Sequence, residues 1–145
     1  LVALPILGAD FETRELVREP LSVAVAKNHR LAREKSLTLR HLEQHPFLLL
    51  KQGHCFRETI ISARQRSRLH LNLAFEAGQF STILGLVAAG MGISVVPEMA
   101  AQVANGCRFI PLRDDRAFRR IGLVWLRSHF QTRAENLLIE HLSAT

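Results

Sequence analysis

The chain has 145 residues, 48% apolar and 22% charged, a balance that suits one ordered globular domain with a real core and excludes a disordered segment. No apolar run approaches the roughly 20 residues that cross a bilayer, and the opening LVALPILG is too short, and lacks the positive flank, of a signal peptide. The net charge of +6 is scattered, and with no Tyr and one Trp the sequence lacks the aromatic interleaving of a nucleic-acid stacking platform.

In chain order, the apolar opening run is strand-like and has no polar lead-in, which suggests a fragment of something longer. LSVAVA (Leu21 to Ala26) is a strand apolar on both faces, leading into a polar turn at Lys27 to Arg30. SLTLRHLEQ reads as a short helix capped by Ser36 or Thr38 and ending before His45-Pro46. FLLL (Phe47 to Leu50) is a second buried strand. A helix follows from about Phe56 to Arg66, with Phe56, Ile60 and Ala63 on one face. Its basic end, RQRSR (Arg64 to Arg68), suits the negative pole of a helix better than a phosphate-binding patch.

Next come a strand at Leu71 to Phe75 and a helix at Gln79 to Ala89, with Phe80, Ile83, Leu84 and Val87 as its core stripe and Gly90 as its stop. ISVVPE is a strand broken by Pro97. RFIPL, a charged turn RDDR, the strand IGLVWL (Ile121 to Leu126) and a helix at about Thr132 to Leu142 complete the chain. Strands alternating with helices in this rhythm predict an α/β fold with mostly parallel sheets. Gly90-Met91-Gly92 lies after a helix and before a strand, the reverse of a phosphate loop.

Cys55, in KQGHCFRETI, carries the sharpest chemistry. It sits at the predicted start of a helix, next to His54, close to Arg57 and Lys51, surroundings that lower a thiol pKa. The same position suits a small apolar residue packed under the helix, and the residues leave both readings open. Cys107, after an Asn-Gly turn, reads as structural. Two cysteines far apart make no disulfide framework, so a reducing cytoplasm is expected. No histidine is placed as the base of a Cys-His hydrolase, and His41 and His45 lack further ligands, so neither an enzyme nor a metal site is expected. Gln79, Ser81 and Thr82 put donors at a helix N-terminus, which fits either an anion site or simple capping.

Together, NHRLA, FLLLKQGHCFRE, FEAGQFSTILGLVAAGMGISVVPE and RRIGLVWL resemble the effector-binding domain of LysR-type transcriptional regulators over essentially the whole chain. GHCFRE further resembles the OxyR-like peroxide-sensing branch. The resemblance implies a type 2 periplasmic-binding-protein-like fold of two subdomains, with mostly parallel sheets flanked by helices and the effector in the cleft between them. Residues 21–97 would form the second subdomain; residues 1–20 and 98–145 would be part of the first, incomplete here. DNA would be contacted only through an N-terminal helix-turn-helix absent from this chain.

The resemblance further implies a cytoplasmic homodimer or tetramer, with a small-molecule effector or peroxide as its signal and no cofactor, metal or membrane contact. It makes Cys55 the peroxide-reactive cysteine, with His54, Arg57 and Glu58 around it; Glu58 stands where the peroxide sensors carry aspartate. The effector cleft would draw on Gly53, His54, Cys55, Gln79, Phe80, Ser81, Thr82, Val96 and Arg127. Two positions depart from the pattern. Arg64 stands where the resolving cysteine belongs, and the expected arginine after the IGLVW strand aligns with Leu126, one residue before Arg127. The usual disulfide switch therefore cannot form, and Cys107 would lie toward the other subdomain. The alternatives are a small anionic ligand bound without thiol chemistry, or a periplasmic solute-binding protein of the same fold.

Overall fold

A computed structural model describes residues 1–6, 8–51, 57, 60–62, 65, 68, 70–101, 105–114 and 117–143. The named elements are β1 (Val2–Leu4), β2 (Phe11–Ala26), β3 (Pro46–Leu50), β4 (Asn72–Ala77), α1 (Phe80–Ala88), β5 (Ser94–Pro97), α2 (Glu98–Ala101), β6 (Cys107–Pro111), β7 (Phe118–Leu126) and α3 (Arg133–Ser143). Single 3-10 turns lie at Arg30–Arg33 and Leu39–Leu42. Arg57, Ile60, Ile61, Ser62 and Gln65 are also helical. Among the described residues, no helix is long and apolar enough to cross a membrane.

The chain divides into two compact units, Leu1–Glu19 with Arg119–Thr145, and Pro20–Phe118. The second unit holds the buried core. Phe47, Leu48, Leu49 and Leu50 of β3 are buried on both faces, as are Val23, Ala24 and Val25 of β2 and Val95 and Val96 of β5. A strand apolar on both faces needs cover on both sides. On α1, Ile83, Leu84 and Val87 are buried, and Phe80 packs against the same core.

Gly90 ends α1 at a φ of +79°, a conformation glycine adopts without strain. Its N–H donates to the Val87 carbonyl (2.9 Å) and the Met91 N–H to that of Leu86 (3.1 Å), the paired bonds of a Schellman stop. Gly92 serves a different need. A Cβ there would collide with the Pro46 carbonyl, which accepts from Ile93 N–H at 2.8 Å and links β3 to β5.

The sheets are mixed rather than mostly parallel. β3 and β4 pair in parallel, and Phe47 bridges Ile93 in parallel. β2 runs antiparallel to both β5 and β6, Leu21 facing Pro97 and Ala26 facing Cys107. Residues 98–118 therefore group with 20–97: β6 hydrogen-bonds along β2, and its Ile110 joins the core. The units divide at Phe118, whereas the resemblance implied a subdomain boundary after Pro97.

In the first unit, β1 pairs antiparallel with β7, Val2 facing Gly122, and β7 neighbours β2. β2 begins at Phe11, ten residues before the apolar run that predicted it. Its charged half, FETRELVRE, lacks a hydrophobic signature but is matched by β7. Arg119 donates to Glu19 through Nε (2.8 Å) and Nη2, Arg120 pairs with Glu15 (3.5 Å), and Trp125 Nε1 donates to Glu12 (3.2 Å). α3 starts in a capping box. Glu135 accepts from the Thr132 N–H (2.7 Å) and hydroxyl (2.8 Å), and the Glu135 N–H donates back to the Thr132 hydroxyl (3.3 Å).

Candidate functional site

β3 and β4 stop at one edge of their sheet. Leu50 faces Ala77, and the Lys51 N–H donates to the Ala77 carbonyl at 2.9 Å. Beyond β3 the chain reaches the helical residues at Arg57, and beyond β4 it enters α1. In open α/β sheets, ligands collect outside the carboxyl ends of parallel strands, where helix N-termini converge.

Arg57 is the anchor of this edge. Its Nη1 donates to the Leu50 carbonyl (2.9 Å) and to Glu76 Oε1 (2.6 Å), tying the helical segment to the ends of both strands. The Arg57 side chain is only 14% exposed against 40% for Glu76, so its charge is directed inward and compensated. Arg57 therefore positions the edge and has little charge left for an anion.

The start of α1 is more open. Gln79 is its N-cap, with extended backbone (φ −138°, ψ 145°), and its side chain makes no capping hydrogen bond; instead it accepts from Ser81 Oγ at 3.4 Å. Gln79, Ser81 and Thr82 are exposed, and no acidic side chain occupies the first turn. The positive end of the helix dipole thus faces an accessible surface with hydroxyl and amide groups around it.

The remaining expected site residues are distributed as follows. Gly53, His54, Cys55, Glu58 and Arg64 lie outside the described residues. Val96 is fully buried in the core, on β5 opposite Ser22 of β2. Arg127 belongs to the first unit, where its backbone N–H donates to Asp10 (2.7 Å) and its guanidinium lies 3.9 Å from Glu12.

Cys107 is buried within the second unit, where its strand pairs with the end of β2. Its thiol donates to the Leu84 carbonyl (3.3 Å), and burial pushes its pKa up against the smaller opposing pull of Lys27. It is a packing residue, as its sequence setting suggested.

Sequence patterns missed Glu76, which lies 19 residues from Arg57 and shows only as a carboxylate at a strand end. They also missed a cluster at the other edge. Arg30 reaches Gln44 Oε1 (3.2 Å) and His45 Nε2 (3.1 Å), while the His29 and His45 rings meet edge-on at 4.9 Å. His41 is turned to Thr38, whose N–H it accepts at 3.1 Å, so the His41–His45 spacing brings no shared ligand site.

The LysR substrate binding domain model matches residues 1–145. The chain belongs to that family. The HTH-type transcriptional regulator YnfL of Escherichia coli is 32% identical over 142 residues, covering 95% of this chain and 48% of the relative. The LysR domain therefore spans about half the length of that relative. The reduced OxyR regulatory domain of Pseudomonas aeruginosa has a TM-score of 0.82 at 28% identity, covering 99% of this chain and 71% of that one. The CcmR regulatory domain of Synechocystis, solved in complex with 2-PG, has a TM-score of 0.85 at 20% identity and covers 99% of this chain and 70% of its own. The fold is the type 2 periplasmic-binding-protein-like fold of LysR regulatory domains.

Proposed function

We propose that this LysR domain senses the signal of a cytoplasmic transcriptional regulator that assembles as a homodimer or tetramer and contacts DNA through a helix-turn-helix elsewhere in the full-length protein. The family match over residues 1–145 supports this over a solute-binding protein of similar fold. The domain turns nothing over; its signal favours one arrangement of two subdomains, and the differential affinity is passed to the oligomer. In this reading the Pro20–Phe118 unit is the second subdomain and the Leu1–Glu19, Arg119–Thr145 unit is part of the first.

The signal is read at the β3–β4 edge, with Cys55 as its redox group. The observation that carries this reading is the 28% identity, over 99% of the chain, to an OxyR regulatory domain solved in its reduced form. The anchoring of Arg57, two residues beyond Cys55, to Leu50 and Glu76 gives that edge a fixed frame. The Cys55 thiolate would attack one peroxide oxygen, break the O–O bond and release hydroxide, leaving a sulfenic acid. With arginine at position 64, that acid persists or condenses with an external thiol, releasing water. Treating the full-length protein with peroxide and a dimedone trap should give one adduct at Cys55 and change operator affinity. A native thiol pKa above about 8.5 and no adduct would sink the redox reading.

A second reading has its own support. The exposed start of α1 at Gln79 to Thr82, where the Gln79 side chain makes no capping bond, suits a small carboxylate or other anion, with Cys55 as a lining residue only. In a thermal-shift screen, a binding carboxylate should stabilise the Cys55→Ser protein as much as the parent. Stabilisation lost with the thiol would return the signal to Cys55.

A further inference from the structure

The opposite edge of the second unit carries a basic depression that neither reading uses. It lies where β2 ends and β6 begins, beyond the Ala26–Cys107 and Val25–Arg108 pairs, at the amino-terminal side of β3 and β5. Lys27, Asn28, His29, Arg33 and Arg108 supply its polar lining, around a volume of about 440 Å³.

Three cations from separate segments converge here: the turn after β2, the 3-10 turn Arg30–Arg33, and β6. No carboxylate lines the depression, and among the described residues none lies within ion-pair distance of Lys27, Arg33 or Arg108. Ordinary helix-end preference accounts for Arg33 alone. The β2–β6 ladder ends at Ala26–Cys107, so the backbone at Lys27, one residue past β2, and at Arg108 on β6 is held close together before any ligand binds. The volume falls within the range of small-ligand clefts, about 300–1,000 Å³, and is concave where a duplex backbone needs a ridge-matching stripe.

We propose that this depression is a second ligand site of the domain, one that takes a small phosphate-bearing anion held by Lys27, Arg33 and Arg108. Asn28 adds a side-chain amide donor. His29 Nδ1 accepts the Leu31 N–H at 3.2 Å, so the neutral ring carries its proton on Nε2, a further donor. Burial and then Arg30 hold the His29 pKa below its usual value, which keeps that tautomer at neutral pH. The charge that selects the anion is thus supplied by the three long side chains, and the neutral groups orient it.

Calorimetric titration of the full-length protein with inorganic pyrophosphate, in about 0.15 M salt, tests this directly. One saturable site per chain is expected, weakened about tenfold or more in Lys27→Glu/Arg108→Glu. Lys35→Glu, an exposed charge outside the depression, should leave the affinity unchanged, and so should Cys55→Ser, which separates this site from the thiol edge. Circular dichroism and urea midpoints confirm that the exposed-charge variants remain folded. No saturable binding, equal weakening by Lys35→Glu, indifference to the double variant, or displacement of pyrophosphate by a non-operator DNA duplex would each overturn the proposal.

Discussion

The Arg57–Glu76 contact offers the most direct test of how the β3–β4 edge is held. Arg57→Met keeps an apolar stem but deletes the donor to Leu50 and Glu76, and Glu76→Gln removes the carboxylate alone. A shielded charge-assisted hydrogen bond contributes about 1.5–3 kcal/mol, and an exposed ion pair about 0–1 kcal/mol. With Arg57 14% exposed and Glu76 40%, the pair lies between those limits, and screening at Glu76 favours the lower end. We expect a coupling of about 1 kcal/mol in the double-mutant cycle and about 2 kcal/mol for Arg57→Met, which also deprives the Leu50 carbonyl of its guanidinium. In a unit the size of Pro20–Phe118, each kcal/mol moves Tm by about 4–8 °C. Urea unfolding of the parent, both single variants and the double, at constant m-value, reads the cycle. A coupling below about 0.3 kcal/mol would mean that Arg57 does not tie the helical segment to β4.

Four further outcomes follow from the same geometry. His29 and His45 are both held below the imidazole value of 6.5, first by burial and then by Arg30, so the unfolded chain binds protons the folded one does not. Their contribution is complete above pH 6.5 and is lost as pH falls through the lowered folded values. The urea midpoint should drop between about pH 7.5 and 5.5, and drop less in His29→Gln/His45→Gln; an equal drop would remove these rings as the cause. Cys107, buried and with a raised pKa, should resist iodoacetamide in the folded protein and label only on unfolding, as peptide mapping would show; native labelling at the rate of a free thiol would contradict its packing role. Thr132→Ala should cost about 1 kcal/mol by uncapping α3, read as lost helicity. Glu135, held to about 2 by the Thr132 N–H and hydroxyl and then by His129, should contribute fully above its usual 4.5 and lose that contribution as acid approaches 2.

Much of the second unit was legible because burial writes periodicity into sequence. The Ile83, Leu84, Val87 stripe predicted α1, FLLL predicted a strand covered on both sides, and Gly90 marked the stop it makes at φ +79°. The first half of β2 was illegible for the converse reason. Its residues are mostly exposed, and its partners Arg119, Arg120 and Trp125 lie about a hundred positions away, beyond any local pattern. The same distance kept the grouping of residues 98–118 with the second unit out of local view, since it rests on pairings such as β2–β6 and Leu37–Leu112. At the candidate edge, residue types marked Gln79 to Thr82 as a helix start, but could not reveal that Gln79's side chain leaves the cap unmade.

Glu76 changes the electrostatic case for Cys55. The sequence placed Arg57 among the cations able to stabilise a thiolate, yet a cation bonded at 2.6 Å to a carboxylate presents little net charge to a third group. Lys51, the other cation the sequence sets near Cys55, has its backbone fixed to Ala77 and is itself exposed, where solvent screens its charge. The same reasoning favours the start of α1 for an anion, because the Gln79 side chain makes no capping bond and no acidic residue of the first turn cancels the dipole. Glu76 thus divides the edge into a neutralised half at Arg57 that holds the architecture and an open half at Gln79 that is electrostatically free to receive a ligand.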